Sequence, residues 1–322
     1  MHSPVIWSKP NLQYPTPFDT IFFDIDGVLI NTSASFHATD IGVTEYITGT
    51  LRSLDWGQSE GKALLTMQDL DLFKQAGGYN NDWNMCFLLV ALATARLREW
   101  RGTALAERST REWAELSRAA NLQGHGGLTW AREVIPATAL PDYDMVGEIY
   151  REYYWGADEL RKRYGYEPRY LPNARGLVQR EELLYPADLQ QRLRDAGIRH
   201  FGIITGRIGP EVDSALERMT AYSGERWWEV VIPANVSAKP DPEALRLAIK
   251  GTGARGGLYI GDTADDFDLV RHYRAAQRAG EPDMLVAMRV PSVEDAEMYK
   301  QRQADFVLQA TEDVQWCLPH GA

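Results

Sequence analysis

Short apolar runs alternate with amphipathic segments along the second half of the chain, from about Asp188 onward. Runs such as HFGIIT (200–205), GGLYIGD (256–262) and MLVAMRV (284–290) have the length and apolar content of buried strands. Between them, segments such as ADLQQRLRDAG (187–197) carry apolar residues every three or four positions, which is typical of helices. With a first strand at Ile21–Phe23, the alternation predicts an α/β fold with a doubly wound, Rossmann-like, mostly parallel sheet.

Residues 33–185 show a different pattern, with long amphipathic segments and almost no strand signal. The predicted helices cover Ala34–Leu51, Thr66–Gln75, Asp82–Trp100, Ala104–Ala120 and Tyr143–Tyr164. Thr66, followed three residues later by Asp69, predicts a capping box, and glycine-rich QGHGGLT (123–129) predicts a loop. We therefore expect an α/β core from residues 1–32 and 186–322, with residues 33–185 inserted as an all-helical cap domain.

The composition is that of an ordinary globular protein. The 322 residues exceed the ~250 at which single cores stop growing, and 44% are hydrophobic while 25% are charged. No run approaches the ~18 apolar residues of a membrane span. The N-terminus, MHSPVIWSKPNLQYPTP, lacks the features of a secretory signal and is expected to be an irregular lead-in. We expect a cytoplasmic protein without a membrane partner.

Charge and cysteine content exclude two further classes. The net charge of -11 argues against a nucleic-acid partner, which normally meets a basic protein face. Cys86 and Cys317 lie far apart and form no CxxC pair, so neither a disulfide framework nor a zinc site is predicted.

Polar or charged residues and one glycine follow the ends of several predicted strands. In chain order they are Asp24, Asp26, Thr205, Gly206, Lys239, Asp262 and Asp266. Because ligands of open α/β sheets bind beyond the carboxyl ends of the strands, we expect these residues to form one site. Carboxylates around a lysine and a threonine suit Mg²⁺ and a phosphate, since magnesium takes oxygen ligands and leaves part of its shell to the substrate.

The two aspartates after the first strand suit phosphoryl transfer. Asp24 would be a carboxylate nucleophile that forms an aspartyl-phosphate. Asp26, two residues along an extended chain, would act as general acid and then as general base. Lys239 and Thr205 would hold the phosphoryl oxygens.

Four motifs occur in order on these elements: DIDGVL (24–29), IITGR (203–207), AKPDP (238–242) and GDTADD (261–266). In these motifs the sequence resembles the haloacid dehalogenase superfamily, in the branch with a helical cap inserted between the first and second motifs. The resemblance implies that Asp24 is the nucleophile, and that Asp26 is the general acid/base with its backbone carbonyl on magnesium. The implied substrate-binding residues are Thr205, Gly206 and Lys239, and the implied metal-binding residues are Asp24, Asp26, Asp262 and Asp266.

The second aspartate of the first motif favours phosphate-ester chemistry, because the dehalogenases and phosphonate hydrolases of this superfamily lack it. The expected activity is that of a magnesium-dependent phosphatase acting on a small phosphorylated metabolite. A phosphosugar mutase would keep the same motifs, and a catalytically quiet ligand-binding or regulatory protein is a third alternative. The sequence leaves open which phosphate ester is bound and whether the chain forms a homo-oligomer.

Within the predicted cap, the segment FKQAGGYNNDW (73–83) stands between two helices. It resembles the substrate-specificity loop of capped members, which implies substrate binding by Lys74, Asn80, Asn81 and Trp83. The alternative is that the segment holds a helix C-cap, a turn and the N-cap of the next helix.

Overall fold

A computed structural model describes residues 5–79, 81–290 and 292–319. Contacts divide the chain into two compact units, Met1–Asn31 together with Glu182–Ala322, and Thr32–Glu181. The first unit is built on a seven-stranded, mostly parallel sheet, which confirms the predicted α/β fold class. The described residues of the second unit form helices and connecting turns, with no strand among them.

The large sheet is covered on both faces. The strands are β1 (Val5–Ser8), β2 (Thr20–Phe23), β3 (Ile30–Asn31), β4 (Glu182–Leu183), β5 (His200–Thr205), β6 (Val230–Pro233), β7 (Gly257–Gly261), β8 (Met284–Arg289) and β9 (Phe306–Leu308). Ile21 and Phe23 pack in a cluster on one face, and Phe22 packs in a second cluster on the other. Burial on both faces explains why these strands are continuous apolar runs in the sequence.

The strand order is β1-β9-β8-β7-β2-β5-β6, in which β1 is antiparallel to β9 and the other neighbours are parallel. The strand β2 lies in the middle, between β5 and β7. The chain winds outward from β2 in both directions, so β2 marks the topological switch point. Ligand sites of such sheets lie beyond the carboxyl ends of the strands at this point.

Helices complete both units. The α-helices of the second unit are α1 (Ala38–Glu45), α2 (Met67–Ala76), α3 (Asp82–Thr94), α4 (Thr110–Leu122), α5 (Gly127–Val134) and α6 (Tyr143–Tyr164). Short π-helices extend α1 at both ends, Ser33–His37 and Tyr46–Leu51, and α3 at its end, Ala95–Glu99. In the sheet unit they are α7 (Leu189–Asp195), α8 (Gly209–Ser223), α9 (Pro242–Thr252), α10 (Ala264–Ala275) and α11 (Val293–Gln301). Among the described residues, no helix combines the length and apolar character needed to cross a membrane.

Two predictions for the inserted helices need correction. The helix expected over Ala104–Ala120 begins instead at Thr110, because Ser109 caps it in a box with Glu112. The glycine-rich segment 123–129 is a loop only in part, since α5 begins at Gly127. The capping box of Thr66 and Asp69 is confirmed at α2.

The N-terminal segment and the second domain boundary also differ from expectation. The expected irregular lead-in contains β1, which pairs with β9 near the other end of the chain. Glu182–Leu183 pairs with Ile30–Asn31 as a small antiparallel sheet, so the sheet unit resumes before the predicted residue 186. Both pairings join residues far apart in sequence, and no local pattern signals them.

Candidate active site

The carboxyl ends of three adjacent strands bring together most of the predicted site residues. Asp24 follows β2, and its backbone N–H donates to the carbonyl of Ile260 in β7 over 2.9 Å. Thr205 is the last residue of β5, and Asp262 follows β7 directly. Lys239 enters from the loop between β6 and α9. The parallel pairing of these strands therefore creates the site.

Lys239 is the central cation of this group. Its ammonium lies 2.9 Å from Asp24 Oδ2 and 2.6 Å from Asp266 Oδ1, and its side chain is fully buried. Burial would lower the pKa of Lys239, but the two carboxylates outweigh burial and hold that pKa above its usual value. Lys239 is therefore charged and aimed at the predicted nucleophile.

Asp24 is a buried carboxylate, and one of its two oxygens makes no hydrogen bond to the described residues. This oxygen is Oδ1, which is itself buried. Burial raises the pKa of Asp24 well above its usual range, against the lowering effect of Lys239. Three neighbouring carboxylates, those of Asp266, Asp26 and Asp262, raise it further. A bound cation would lower that pKa and satisfy the unpartnered oxygen.

The surroundings of that oxygen fit a hard divalent cation. One carboxylate oxygen from each of Asp24, Asp262 and Asp266 lies within 4.8 Å of the others. Oxygen ligands in such a cluster are those that magnesium takes in proteins. Gly27 keeps this space open, because a Cβ there would lie 1.9 Å from Asp262 Oδ2.

Asp266 has less room for a direct metal bond than the other two. Its Oδ2 atom accepts hydrogen bonds from Thr263 Oγ1 at 2.7 Å, from Thr263 N at 3.0 Å and from Asp262 N at 3.2 Å. Its Oδ1 atom accepts from Lys239. Burial would raise the pKa of Asp266, but Lys239 and the hydroxyl groups of Tyr259 and Thr263 lower it below its usual value. Asp266 therefore anchors the site as an ionised carboxylate.

Asp26 is held by an arginine to which the sequence analysis gave no role. Arg207 donates from Nε and Nη2 to Asp26 Oδ1, over 2.8 and 2.7 Å. The arginine side chain is buried, whereas 23% of the Asp26 side chain is exposed. Arg207 follows Thr205 and Gly206 in the motif IITGR, and a charged residue two positions after a buried strand was the available signal.

Thr205 and Gly206 lie at the carboxyl end of β5. The Thr205 side chain is buried, and its Oγ1 atom accepts from the backbone N–H of Arg207 at 3.2 Å. Gly206 follows at the end of β5, beside the Asp26–Arg207 pair. Both positions suit phosphate binding, which stays a prediction.

The predicted substrate-binding residues of the inserted unit have structural partners within that unit. Lys74, in the last turn of α2, pairs with Asp82 at 3.3 Å. The Asn81 side chain caps α3 by accepting from the N–H groups of Trp83 and Asn84, as the alternative interpretation of this segment predicted.

Trp83 lies under the Arg151 guanidinium, 4.9 Å from the ring centroid. Asn80 lies outside the described residues. Substrate binding by Lys74, Asn81 and Trp83 therefore stays a prediction.

The fold and the acidic cluster together define an α/β protein with a polar site at the switch point of a parallel sheet. The family model of haloacid dehalogenase-like hydrolases matches residues 18–272. The chain therefore belongs to the haloacid dehalogenase-like hydrolase family, which confirms the resemblance found in the four motifs.

One curated protein is similar to this chain at low identity. The chain is 24% identical over 254 residues to an imidazoleglycerol-phosphate dehydratase of Phytophthora nicotianae, which covers 78% of this chain and 40% of that protein. The chain thus spans 40% of the length of this curated relative.

Two solved structures share the fold. Phosphatase Tt82 from Thermococcus thioreducens matches with a TM-score of 0.54 and 22% identity, covering 83% of this chain and 92% of that one. A proposed phosphoglycolate phosphatase from Lactobacillus delbrueckii subsp. bulgaricus matches with a TM-score of 0.54 and 17% identity, covering 96% and 100%.

Proposed function

We propose that the protein is a magnesium-dependent phosphatase that hydrolyses a small-metabolite phosphate monoester through an aspartyl-phosphate on Asp24. The observation that carries this proposal is the state of the Asp24 carboxylate. One of its oxygens is paired with buried Lys239, and the other is buried near Asp262 without a hydrogen-bond partner in the described part of the chain. A carboxylate held in this way, with a cation beside it, suits attack on phosphorus.

The proposed reaction has two steps, in which Asp24 and Asp26 take part. In the first, an Asp24 oxygen forms a bond to phosphorus while the bond from phosphorus to the ester oxygen breaks, and Asp26 gives that oxygen its proton. In the second, Asp26 takes a proton from a water whose oxygen attacks phosphorus, which releases phosphate and restores Asp24. Arg207 donates from Nε and Nη2 to Asp26 Oδ1, which fixes the carboxyl group in place for both steps.

Other residues hold the transferred group. Lys239 would neutralise charge on the phosphoryl oxygens, and Thr205 would donate to one of them. Magnesium, held by Asp24, Asp262 and the Asp26 carbonyl with Asp266 in support, would supply positive charge for the same oxygens. The role of the inserted unit as a cap that selects the leaving group stays a prediction, as does a cytoplasmic location.

The name of the curated relative supports a choice of test substrates. Imidazole glycerol phosphate appears in that name, so imidazole-bearing monophosphates, including histidinol phosphate, belong in the panel. Sugar phosphates and short-chain acid phosphates such as phosphoglycolate complete it. Since the chain spans 40% of that relative, its dehydratase activity is not carried over.

Phosphate release from this panel, with and without magnesium, tests the proposal. We expect metal-dependent release from one substrate class, its loss in Asp24→Asn, and retention in the control Asp188→Asn, an exposed aspartate in an ion pair with Arg192. Isomerised sugar phosphate without free phosphate would indicate the mutase instead. Absence of turnover on every substrate, or full activity in Asp24→Asn, would refute the proposal.

A further inference from the structure

Tyr259 brings a hydroxyl group into the candidate site from inside the sheet. It lies in the middle of β7, is fully buried, and packs in the apolar cluster that contains Phe22. The hydroxyl donates to Asp266 Oδ1 over 2.5 Å, and its oxygen lies 3.4 Å from Lys239 Nζ. A hydroxyl on an otherwise apolar strand thus ends at the central ion pair of the site.

Tyr259 fills the last position on Asp266. The Oδ2 atom of Asp266 accepts from Thr263 and from the backbone of Asp262, so this half of the carboxylate is fixed. The Oδ1 atom accepts from Lys239 at 2.6 Å and from Tyr259 at 2.5 Å. These hydrogen bonds therefore fix the position of the Asp266 carboxylate. The Tyr259 hydroxyl and the Lys239 ammonium donate to the same oxygen, Asp266 Oδ1.

That sharing affects Lys239, which lies between two carboxylates. Its ammonium is 2.6 Å from Asp266 Oδ1 and 2.9 Å from Asp24 Oδ2. A hydroxyl that donates to Asp266 Oδ1 neutralises part of the negative charge there and weakens the attraction of Asp266 for the ammonium. Without the hydroxyl, Asp266 would draw Lys239 away from Asp24.

We propose that Tyr259 is a positioning residue, whose hydrogen bond to Asp266 keeps the Lys239 ammonium directed at Asp24. The catalytic part of this inference rests on the proposed phosphatase function, while the geometric part does not. Burial and the Asp266 carboxylate raise the pKa of Tyr259 well above its usual value, so the phenol keeps the proton that it donates.

A conservative variant separates this role from packing. Tyr259→Phe keeps the buried ring and removes the hydroxyl. The matched control is Tyr273→Phe, because Tyr273 is buried in the same apolar cluster and its hydroxyl donates to the backbone carbonyl of Pro282 at 2.8 Å. Tyr273→Phe loses this one part-buried hydrogen bond. Tyr259→Phe loses the bond to Asp266 and the longer contacts of the hydroxyl with Lys239 at 3.4 Å and with the Ile204 carbonyl at 3.5 Å, so only this variant changes the surroundings of Lys239.

The first measurement is structural and does not depend on turnover. In a crystal structure of Tyr259→Phe, the distance from Lys239 Nζ to Asp24 Oδ2 should exceed ~3.5 Å, the limit of a hydrogen bond, while Nζ stays on Asp266. An Nζ that keeps its wild-type position would overturn the inference. A displaced Nζ in a protein that hydrolyses no phosphate ester would support the positioning and refute the phosphatase.

The second measurement is kinetic. Tyr259→Phe should lower kcat about tenfold with KM changed less than about twofold, since the loss of one hydrogen bond to a charged group acts on the chemical step. Tyr273→Phe should leave both constants near wild type. In an Asp266→Asn background, Tyr259→Phe should add less than about twofold, because the short bond of the hydroxyl is to Asp266 and its direct contact with Lys239 is long, at 3.4 Å. A full additive loss in that background, or a wild-type kcat in Tyr259→Phe, would contradict the inference.

Discussion

At the scale of single residues, Arg207 controls the group proposed to move the proton. Its guanidinium donates twice to Asp26 Oδ1, and its side chain is buried. Arg207→Lys should lower kcat, on the order of tenfold, because one ammonium cannot reproduce both contacts of the planar fork. Arg192→Met, which removes an exposed ion pair with Asp188, is the control and should keep wild-type kinetics. Steady-state kinetics on the substrate found by phosphate release measures these values. An unchanged kcat in Arg207→Lys would show that the two contacts of Arg207 with Asp26 do not contribute to catalysis.

Gly27 needs to lack a side chain for two reasons, its backbone conformation and its closeness to Asp262. Its φ is 70°, in the left-handed region, and a Cβ would lie 1.9 Å from Asp262 Oδ2. Gly280 has a φ of 87° with nothing within 4 Å of its Cβ position, so Gly280→Ala carries the conformational cost alone. Gly280→Ala should lower the free energy of unfolding by about 1 kcal/mol and keep activity.

Gly27→Ala should lower the free energy of unfolding by more than Gly280→Ala does, and it should abolish metal-dependent turnover. Both effects are expected because the added Cβ forces Asp262 to move. Urea unfolding and phosphate release on both variants test this prediction. Equal stability losses, with activity intact in Gly27→Ala, would contradict the close contact.

Some residues of the site can be predicted from the sequence, because their position after a strand is enough to place them in the site. Asp24, Lys239 and Asp262 follow strand ends, and the topology of a parallel sheet then brings them together. The roles of Arg207 and Tyr259 depend on side-chain direction and on partners distant in sequence, Asp26 and Asp266. A strand pattern does not contain that information.

At the scale of secondary-structure elements, the start of α10 belongs both to the helix and to the site. Thr263 forms a capping box with Asp266, and the same carboxylate holds Lys239. The exposed box of Thr66 and Asp69 at α2 is a matched control without a site residue. Thr263→Val and Thr66→Val should each lower the free energy of unfolding by about 1 kcal/mol.

Only Thr263→Val should also reduce phosphate release, by several-fold, since it frees one side of Asp266. Chemical denaturation measures the first effect, and kcat measures the second. If Thr263→Val were as active as Thr66→Val, the cap would have no part in organising the site.

Elements were predictable where the pattern is long and local. The strands β2, β5 and β7 are buried on both faces and appear as apolar runs. The amphipathic pattern of α6 predicts its range, although the helix is kinked at Gly156, where φ is 72°. The four-residue strand β1 was missed because its partner β9 lies at the other end of the chain. The helix α5 was missed because its glycine-rich start resembles a loop.

At the scale of the whole molecule, the stability of the fold should depend on the charge state of Asp24. Its pKa is raised in the folded protein, mainly by burial, above the value of 3.8 that serves as its unfolded reference. A group of this kind favours folding when protonated, so its contribution is present below about pH 3.8 and is lost as the pH rises through the folded value. In metal-free protein, the free energy of unfolding of wild type minus that of Asp24→Asn should fall as the pH rises above 3.8. Urea titrations across this pH range measure the difference, and a difference that grows with pH would contradict a raised pKa of Asp24 in the folded protein.

Bound magnesium should offset the loss of folding stability that ionised Asp24 causes at neutral pH. A ligand present at 100 times its Kd stabilises the folded state by about 2.7 kcal/mol, so magnesium should raise the Tm of the wild type. The rise should be much smaller in Asp24→Asn, which loses one of the proposed ligands, and unchanged in Asp188→Asn. Calorimetry with and without magnesium gives these values, and equal shifts in all three proteins would place the metal elsewhere.

The most direct test of the account is to trap the covalent intermediate. The wild-type protein is quenched with acid during turnover of the substrate identified by phosphate release, and the quenched protein is treated with borohydride, which reduces an acyl phosphate to the alcohol. Peptide mass mapping should then find homoserine at position 24 in the wild type and nowhere in Asp24→Asn. Turnover without modification at position 24, or modification of another carboxylate, would contradict the assignment of Asp24 as the nucleophile.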